Sequence, residues 1–444
     1  MTLPITWTLA QLGDLTTQIV GGGTPSKASS ANFDGHIPFM TVKDMKARFV
    51  STTVDHISDQ ALNSSSTVKV PADTLIVASR MSLGKIARPT MDVEINQDLK
   101  AIFLQEGIEK TYLEYFWRSK SHAIQAMGTG TTVKGIRLED IRALNVPLAP
   151  RDEQKCIADK LDTVLTRVDA VNARLARVAP LLKRFRQSVL TAATSGRLTE
   201  DWRGSVSPHW DTMCAEEVCS KVQSGGTPKA GFADEGVPFL KVYNIVDQKV
   251  SFDYKPQFVS HEIHRSELRK SQVEPGDVLM NIVGPPLGKV AIVPDSHASW
   301  NINQAITLFR PSDRVCSRWI YIILCEGAPI REVLSKTKGS VGQVNISLSQ
   351  CRAFELPVPP ADEQAEIVRR VETLFAFADR LEARLQAAQT ATERLTPSLL
   401  AKAFRGELVP QDPNDEPASE LLKRLTAVTA PATAKRRGRV AKTE

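Results

Sequence analysis

Ser82-Leu83-Gly84-Lys85 has the spacing of a serine nucleophile beside an amine base. A related stretch farther on, Pro286-Leu287-Gly288-Lys289, keeps the lysine but has no hydroxyl, and neither is followed by the partner motifs such a site needs. Gly284-Pro285-Pro286-Leu287-Gly288-Lys289 approaches a phosphate-cradling loop, yet it is one residue short and ends in Val290 where Ser or Thr belongs. A turn between strands is the better reading. His261 and His264 stand three apart with no third ligand at recognisable spacing, which fits surface histidines. The six cysteines (Cys156, Cys214, Cys219, Cys316, Cys325, Cys351) never form Cys-x-x-Cys. No Gly-x-Gly-x-x-Gly occurs, and no Asn-Pro-Pro-aromatic segment that would hold an extruded adenine. Catalysis finds little support in these residues.

Binding finds more. Gly21–Lys27 and Gly225–Lys229 are glycine-rich loops with free N–H groups, a hydroxyl (Thr24, Thr227) and a lysine (Lys27, Lys229), a combination able to meet a phosphate; a plain turn fits the segment equally well. Asn96-Gln97 and Asn303-Gln304 carry amides of the type that pair with adenine, but their agreement suits a scaffold better than readout. Lys134 and Arg137, and farther on Lys338, Gln343 and Asn345, lie in Gly/Thr/Ser-rich connections, where base-edge contacts sit on a rigid frame. Thr41-Val42-Lys43-Asp44 aligns with Lys241-Val242-Tyr243-Asn244, and Ser79-Arg80-Met81-Ser82 with Val283-Gly284-Pro285-Pro286. Lys43, Arg80 and Lys85 in one copy, and Lys241, Asn244 and Lys289 in the other, are therefore further contact candidates. Two frames alike in plan but different in contact residues could read two different half-sites, unless the differences are simple drift after duplication.

Those alignments come from an internal repeat. Trp7 matches Trp210, Gly22-Gly23-Thr24-Pro25 matches Gly225-Gly226-Thr227-Pro228, and Ile37-Pro38-Phe39 matches Val237-Pro238-Phe239. Pro71–Leu75 matches Pro275–Leu279, Leu83-Gly84-Lys85 matches Leu287-Gly288-Lys289, Ile95-Asn96-Gln97 matches Ile302-Asn303-Gln304, and Asp152-Glu153-Gln154 matches Asp362-Glu363-Gln364. Each repeat opens with a mixed α/β globular head, residues 1–150 and 208–358, with short apolar runs such as Thr74–Val77 and Asp277–Met280. Thr111–Gln125 and Ser317–Leu334 have helical spacing.

Helical spacers, residues 151–207 and 359–410, follow the heads. Ile157, Leu161, Val164, Val168, Val171, Leu175, Val178 and Leu182 are spaced alternately four and three apart, a heptad seam that demands a partner helix. Ile367, Val371, Leu374, Ala378, Leu381, Leu385, Ala388 and Thr392 supply it, weakening toward the end. Asp152 and Asp362 stand at the helix starts, where a carboxylate favours unpaired N–H groups. Pro180 and Pro397 fall at non-equivalent places, each expected to kink a helix or begin a new segment. The expected fold is two α/β heads separated by an antiparallel two-helix coiled coil with pseudo-twofold symmetry. The first helix would run about 42 Å to residue 179 and about 60 Å to residue 193. Residues 411–444 are expected to be a flexible basic tail holding at most a short helix over Ala418–Leu425.

Composition agrees with a multidomain, cytoplasmic chain of 444 residues, 42% hydrophobic and 24% charged. No apolar stretch is long enough to span a membrane, and scattered cysteines suit a reducing compartment. The net charge of +6 belongs largely to residues 435–444, and residues 1–150 hold 15 Lys/Arg against 14 Asp/Glu. No global basic field announces a nucleic-acid protein.

The doubled motif set resembles the specificity subunit of type I DNA restriction–modification enzymes. The resemblance covers about residues 4–410. It is carried by the paired motifs above, by Val146–Gln154 (VPLAPRDEQ) and Leu356–Gln364 (LPVPPADEQ), and by the closing elements Ser195-Gly196-Arg197-Leu198 and Arg405-Gly406-Glu407-Leu408. Both copies have Asp where that family often has Pro before Glu-Gln. The resemblance implies two target recognition domains reading a bipartite, asymmetric site in double-stranded DNA, with the spacer setting the gap. It also implies assembly with two adenine-methyltransferase subunits that bring S-adenosylmethionine, and with restriction/translocase subunits that use ATP and Mg2+. This chain would itself hold no cofactor or metal, would catalyse nothing alone, and would touch no membrane. A coiled-coil scaffold with two protein-binding heads is the rival reading, and a nuclease or hydrolase with an unrecognised site a third. Near-neutral heads predict that the chain alone grips duplex weakly and that methyltransferase partners supply much of the affinity. Salt-titrated binding with and without those partners checks this; equal affinity in both would refute it.

Overall fold

The computed structural model describes residues 3–130, 133–204, 206–336 and 345–429. The chain divides into two compact units, Met1–Leu175 with Ala388–Glu444, and Ala176–Ala387. Among the described residues no helix is long and apolar enough to cross a membrane.

In the first unit a five-stranded sheet runs in the order Thr16–Gly21, Leu99–Leu104, Leu75–Ala78, Ile86–Pro89, Phe49–Val50. All four side chains of Leu75–Ala78 are buried, which is why this run carries no polar alternation. A second sheet orders Asp55–Ile57, Ile37–Met40, Val93–Ile95, Val68–Val70. Thr8–Gln11 pairs antiparallel with Asn145–Leu148, so the head's first and last strands close on each other. The second unit repeats this plan. Cys219–Ser224, Ile306–Pro311, Val278–Asn281 and Val290–Ile292 form one sheet; Phe258–Val259, Val237–Leu240, Trp300–Ile302 and Gln272–Val273 form another. Asp211–Cys214 pairs with Glu355–Val358. The helical segments expected near 111–125 and 317–334 are Lys110–Ser119 with Ser121–Met127, and Ser317–Glu326 with Ala328–Lys336.

Three long helices make the spacers: Arg151–Ala176, Val178–Thr194 and Ala361–Ala403. Pro180 is the third residue of the second, where its missing N–H has no intrahelical partner to lose. Pro397 lies inside the third, which continues past it. In the second unit Arg186 bonds Asp379 and Glu382, Arg370 bonds Asp201, and Arg203 bonds Glu363. Numbers rise on one side as they fall on the other, so the segments run antiparallel. In the first unit Ile157, Ala158, Leu161 and Leu165 share a core with Leu400, Ala403 and Phe404.

The seam of the third helix is as expected, with Ile367, Val371, Ala378 and Leu385 buried and Leu374, Leu381, Ala388 and Thr392 half-buried. The first needs a correction. Ile157, Leu161, Val168 and Leu182 are buried and Val164, Leu175 and Val178 half-buried, but Val171 is 41% exposed. The inward row runs instead through Leu165, Val168, Asn172 and Leu175. Packing on a head as well as a helix widens the apolar stripe beyond a heptad seam. A second correction concerns residues 411–429. Helix Ala418–Thr429 docks on the first head: Ala418, Leu421 and Leu425 are buried with Leu12 and Leu15, and the Ala418 N–H donates to the Thr6 carbonyl at 2.9 Å. Spacing of three and four puts these apolar residues on one face, enough to hold the segment. The basic stretch 435–444 lies outside the described residues.

The Asp-Glu-Gln motif explains how heads join helices. The Trp7 indole N–H donates to Glu153 Oε2 at 2.8 Å, and Trp210 to Glu363 at 2.9 Å. Gln154 donates to the Ala149 carbonyl and accepts the Glu109 N–H; Gln364 donates to the Pro359 carbonyl and accepts the Cys316 N–H. Each Glu fastens the entering strand and each Gln fastens the start of a head helix. Burial pushes the Glu153 carboxyl up, with the Trp7 bond pulling it back toward ionisation. Glu363 is also held by Thr199 and Arg203, whereas Glu153 Oε1 has no partner. Trp7→Phe should therefore cost about 2–3 kcal/mol, more than Trp210→Phe, because it strands a buried carboxyl. The Trp7 bond favours the charged form, so the loss should be larger near neutral pH than near pH 4. Urea denaturation of both variants at the two pH values measures this.

Candidate nucleic-acid interface

Five loops meet on the first head. Thr24 Oγ1 donates to Gln97 Oε1, tying the Gly-Gly-Thr-Pro loop to the Asn-Gln loop. A Cβ on Gly22 would lie 1.8 Å from the Ile95 carbonyl oxygen, so only glycine allows this approach. The Asn96 N–H reaches the Met40 carbonyl, bringing in the segment that carries Lys43. Ser79 donates to the Asp98 carbonyl at 2.8 Å through its N–H, and Ile136 donates to the Ser79 carbonyl at 2.9 Å. Met81 donates to the Lys134 carbonyl at 3.1 Å. Lys27, Lys43, Arg80, Lys134 and Arg137 are thus exposed side chains on one connected set of loops.

The second head repeats the frame. Thr227 donates to Gln304 Oε1, Gly226 donates to the Ile302 carbonyl, and Asn303 donates to the Leu240 carbonyl. Ile346 donates to the Ile282 carbonyl at 2.9 Å, and Val283 bridges Asn345. A Cβ on Gly225 would stand 2.1 Å from the Ile302 oxygen. The frame is shared and its surface is not. Where the first head sets Arg80 against Gly135, the second sets Val283 against Asn345.

The family model described as type I restriction modification DNA specificity domain matches residues 4–179 and 208–388. The chain belongs to this family. It is 28% identical to the EcoKI specificity subunit of Escherichia coli strain K12, with 98% of each chain covered. To the EcoBI specificity subunit of Escherichia coli it is 31% identical, covering 78% of this chain and 77% of that one. Its fold is similar to the crystal structure of an HsdS subunit from Thermoanaerobacter tengcongensis, with TM-score 0.58, 18% identity and coverage of 92% and 99%. A chain solved in work on assembly and conformational transition of the type I R-M system aligns with TM-score 0.67 at 18% identity, covering 92% of this chain and all of that one.

Within this specificity-domain frame the sequence-derived residues separate. Asn244 is buried: its Oδ1 accepts the Lys241 N–H, and its Nδ2 donates to the Ser251 and Tyr254 carbonyls. It has nothing left for a ligand and is corrected to a loop brace; its counterpart Asp44 likewise accepts from Thr41 and Val54. Thr24 and Thr227 donate their hydroxyl protons to the exposed Gln97 and Gln304, so each pair ties two loops together. Lys85 is exposed and lines a groove between the first head and its helices, apart from the Arg80 cluster. Lys289 is half-buried, with Nζ 3.5 Å from the Val242 carbonyl. Lys241 lies 4.5 Å above the Phe232 ring, and Lys229 is exposed. Lys338 and Gln343 lie outside the described residues.

One cation escaped the sequence reading. Lys100 sits in the strand beside Gly21, half-buried, and burial pushes its ammonium down while Asp98 pulls it up. A Cβ on Gly21 would fall 2.2 Å from Lys100 Nζ, so the lysine tip lies directly over the first glycine of Gly21-Gly22-Gly23. The second head has Ser224 and Thr307 at that register, their hydroxyls 3.1 Å apart. The extra glycine was the available signal.

The Ser-x-x-Lys and phosphate-loop-like stretches form turns. Ser82 and Lys85 close a turn between strands, the Lys85 N–H on the Ser82 carbonyl. Asn281 holds the Gly284–Lys289 turn through the Val283 and Pro286 carbonyls and the Lys289 N–H. His264 Nδ1 is 2.7 Å from Asn301 Oδ1. Burial pushes the Cys219, Cys325 and Cys351 thiols up to about 12, which disfavours the thiolate. Among the described residues no cluster of His, Cys, Asp or Glu is placed to hold a metal ion. Asn244→Ala should cost about 2–3 kcal/mol of stability by stranding buried backbone groups, while Arg80→Ala and Lys134→Ala should stay within about 0.5 kcal/mol. Chemical denaturation of the three variants measures the contrast.

Proposed function

We propose that this chain is the sequence-specific DNA-recognition subunit of a type I restriction–modification complex. Its two heads each read one half of a bipartite, asymmetric duplex site in the major groove. One observation carries the reading: both heads build the same loop frame but arm it differently, with Arg80, Lys134 and Lys100 in one and Val283, Asn345 and the Ser224–Thr307 pair in the other. Equal frames with unequal contacts suit two different half-sites. Arginine or lysine facing a base edge favours guanine through O6 and N7, whereas a small apolar surface with an asparagine favours other pairs. Half-sites on one face of B-DNA lie about 34–36 Å apart, or a related spacing.

The chain works in the cytoplasm and carries no chemistry of its own. Two methyltransferase subunits bring S-adenosylmethionine and methylate adenine, and restriction/translocase subunits use ATP and Mg2+. Family membership weighs against a scaffold that only presents protein-binding heads. Replacing residues 208–358 by the head of a divergent relative should change one half of the methylated sequence and leave the other intact, read by single-molecule sequencing of host DNA. Arg80→Ala should alter only the first half-site and cost about 1–3 kcal/mol of discrimination there. A swap that leaves the methylated sequence unchanged would refute the reading.

A further inference from the structure

Arg48 stands just past the loop that carries Lys43 and joins three elements of the first unit. Its Nε donates to Glu114 at 2.8 Å on helix Lys110–Ser119. Its Nη1 donates to the Tyr115 hydroxyl at 3.1 Å and to Asp162 Oδ1 at 2.5 Å on the first spacer helix. Tyr115 also donates to Asp162, and burial followed by that bond pushes its phenol up, so it remains a donor. The Glu114 side chain is fully buried and takes Arg88 and Arg118 as well, while Arg48 stacks about 5 Å from the Phe49 and Tyr115 rings. Arg48 is therefore locked to the head, and Asp162 is the spacer's grip on it.

Position along the helix gives this grip its consequence. Glu153, held by Trp7, and Asp162 are nine residues apart, about 13 Å along the axis. The Trp7 and Gln154 bonds and the apolar packing of Ile157, Leu161 and Leu165 seat the helix on the head, and Asp162 adds a charged tie away from the helix start. The second unit has Gln248, Tyr321 and Glu372 at the matching places, and there Glu372 pairs with Arg318 instead, both more than half exposed. Its head is tied through Glu326 to Gln187 and Thr191 on a different helix.

We propose that Asp162, through Arg48, is a positioning residue that fixes the tilt of the first head and thereby which gap between half-sites is accepted. This rests on the DNA-recognition reading above. Tilting a head slides its loops along the duplex without changing which side chains they present, and one base-pair step is only about 3.4 Å. The first-half bases stay the same while the permitted gap broadens.

The test uses the full chain in complex with its methyltransferase subunits, on plasmids carrying the native bipartite site at its native gap or with one base pair more or fewer. Transfer of labelled methyl from S-adenosylmethionine is the readout. With Asp162→Asn the ratio of altered-gap to native-gap methylation should rise about tenfold, as expected for loss of one charge-assisted contact. The bases read in each half should not change. Asp162→Glu should restore the wild-type ratio, and Tyr115→Phe should fall between. An unchanged ratio in Asp162→Asn, or equal loss at all gaps, would overturn the proposal. The Asp162 side chain is 41% exposed and Asn is isosteric; should that variant still fail to fold, Tyr115→Phe decides by the same ratio. A wild-type complex that methylates no bipartite site defeats the recognition reading itself, a separate outcome.

Discussion

A buried carboxylate at the start of a long helix must find a donor, and in each unit that donor is the indole of the tryptophan just before the strand that opens the head. Trp7 meets Glu153 and Trp210 meets Glu363. Around each contact an aromatic residue adds a second tie: Tyr112 packs edge-on to Trp7 and bonds the Pro147 carbonyl, and Trp319 packs on Trp210 and bonds the Pro357 carbonyl. Entering strand, leaving strand and spacer helix thus converge on one point.

The junctions are copies, yet their surroundings have diverged. The first unit adds the Arg48–Glu114–Asp162 network, and the second surrounds its carboxylate with Arg203 and Thr199. A pair of charges removed from water gains only when both are well bonded. Glu114 finds three arginines, although Arg48 Nη2 and Arg88 Nε are buried without a partner, and Glu363 finds an arginine, a hydroxyl and an indole. The two heads have therefore settled the same mechanical problem with different chemistry.

Much of this was legible in the sequence because it rests on spacing. The repeat, the strands Leu75–Ala78 and Val278–Asn281, the paired helices and the turn character of Gly284–Lys289 follow from local pattern. Contact residues resisted because short polar side chains serve loops and ligands alike: Asn244 reads as a base-pairing amide but is consumed by its own loop. Val171 fits a heptad, yet the helix also packs on a head and its inward row shifts to Leu165 and Asn172. Arg48 and Asp162 are 114 residues apart, and nothing local marks a pair that only the fold brings together.

The first core also has a bearing on biosynthesis. Its apolar interior includes Leu400, Phe404, Leu421 and Leu425 alongside Trp7, Tyr112 and Phe116. Ala176–Ala387 is built from one continuous stretch of chain. The amino-terminal part, although translated earliest, must wait with an unfinished interior for the segment after residue 388. Domains ordinarily mature in the order in which they are made; here the first unit's core is filled only by chain made after the second unit.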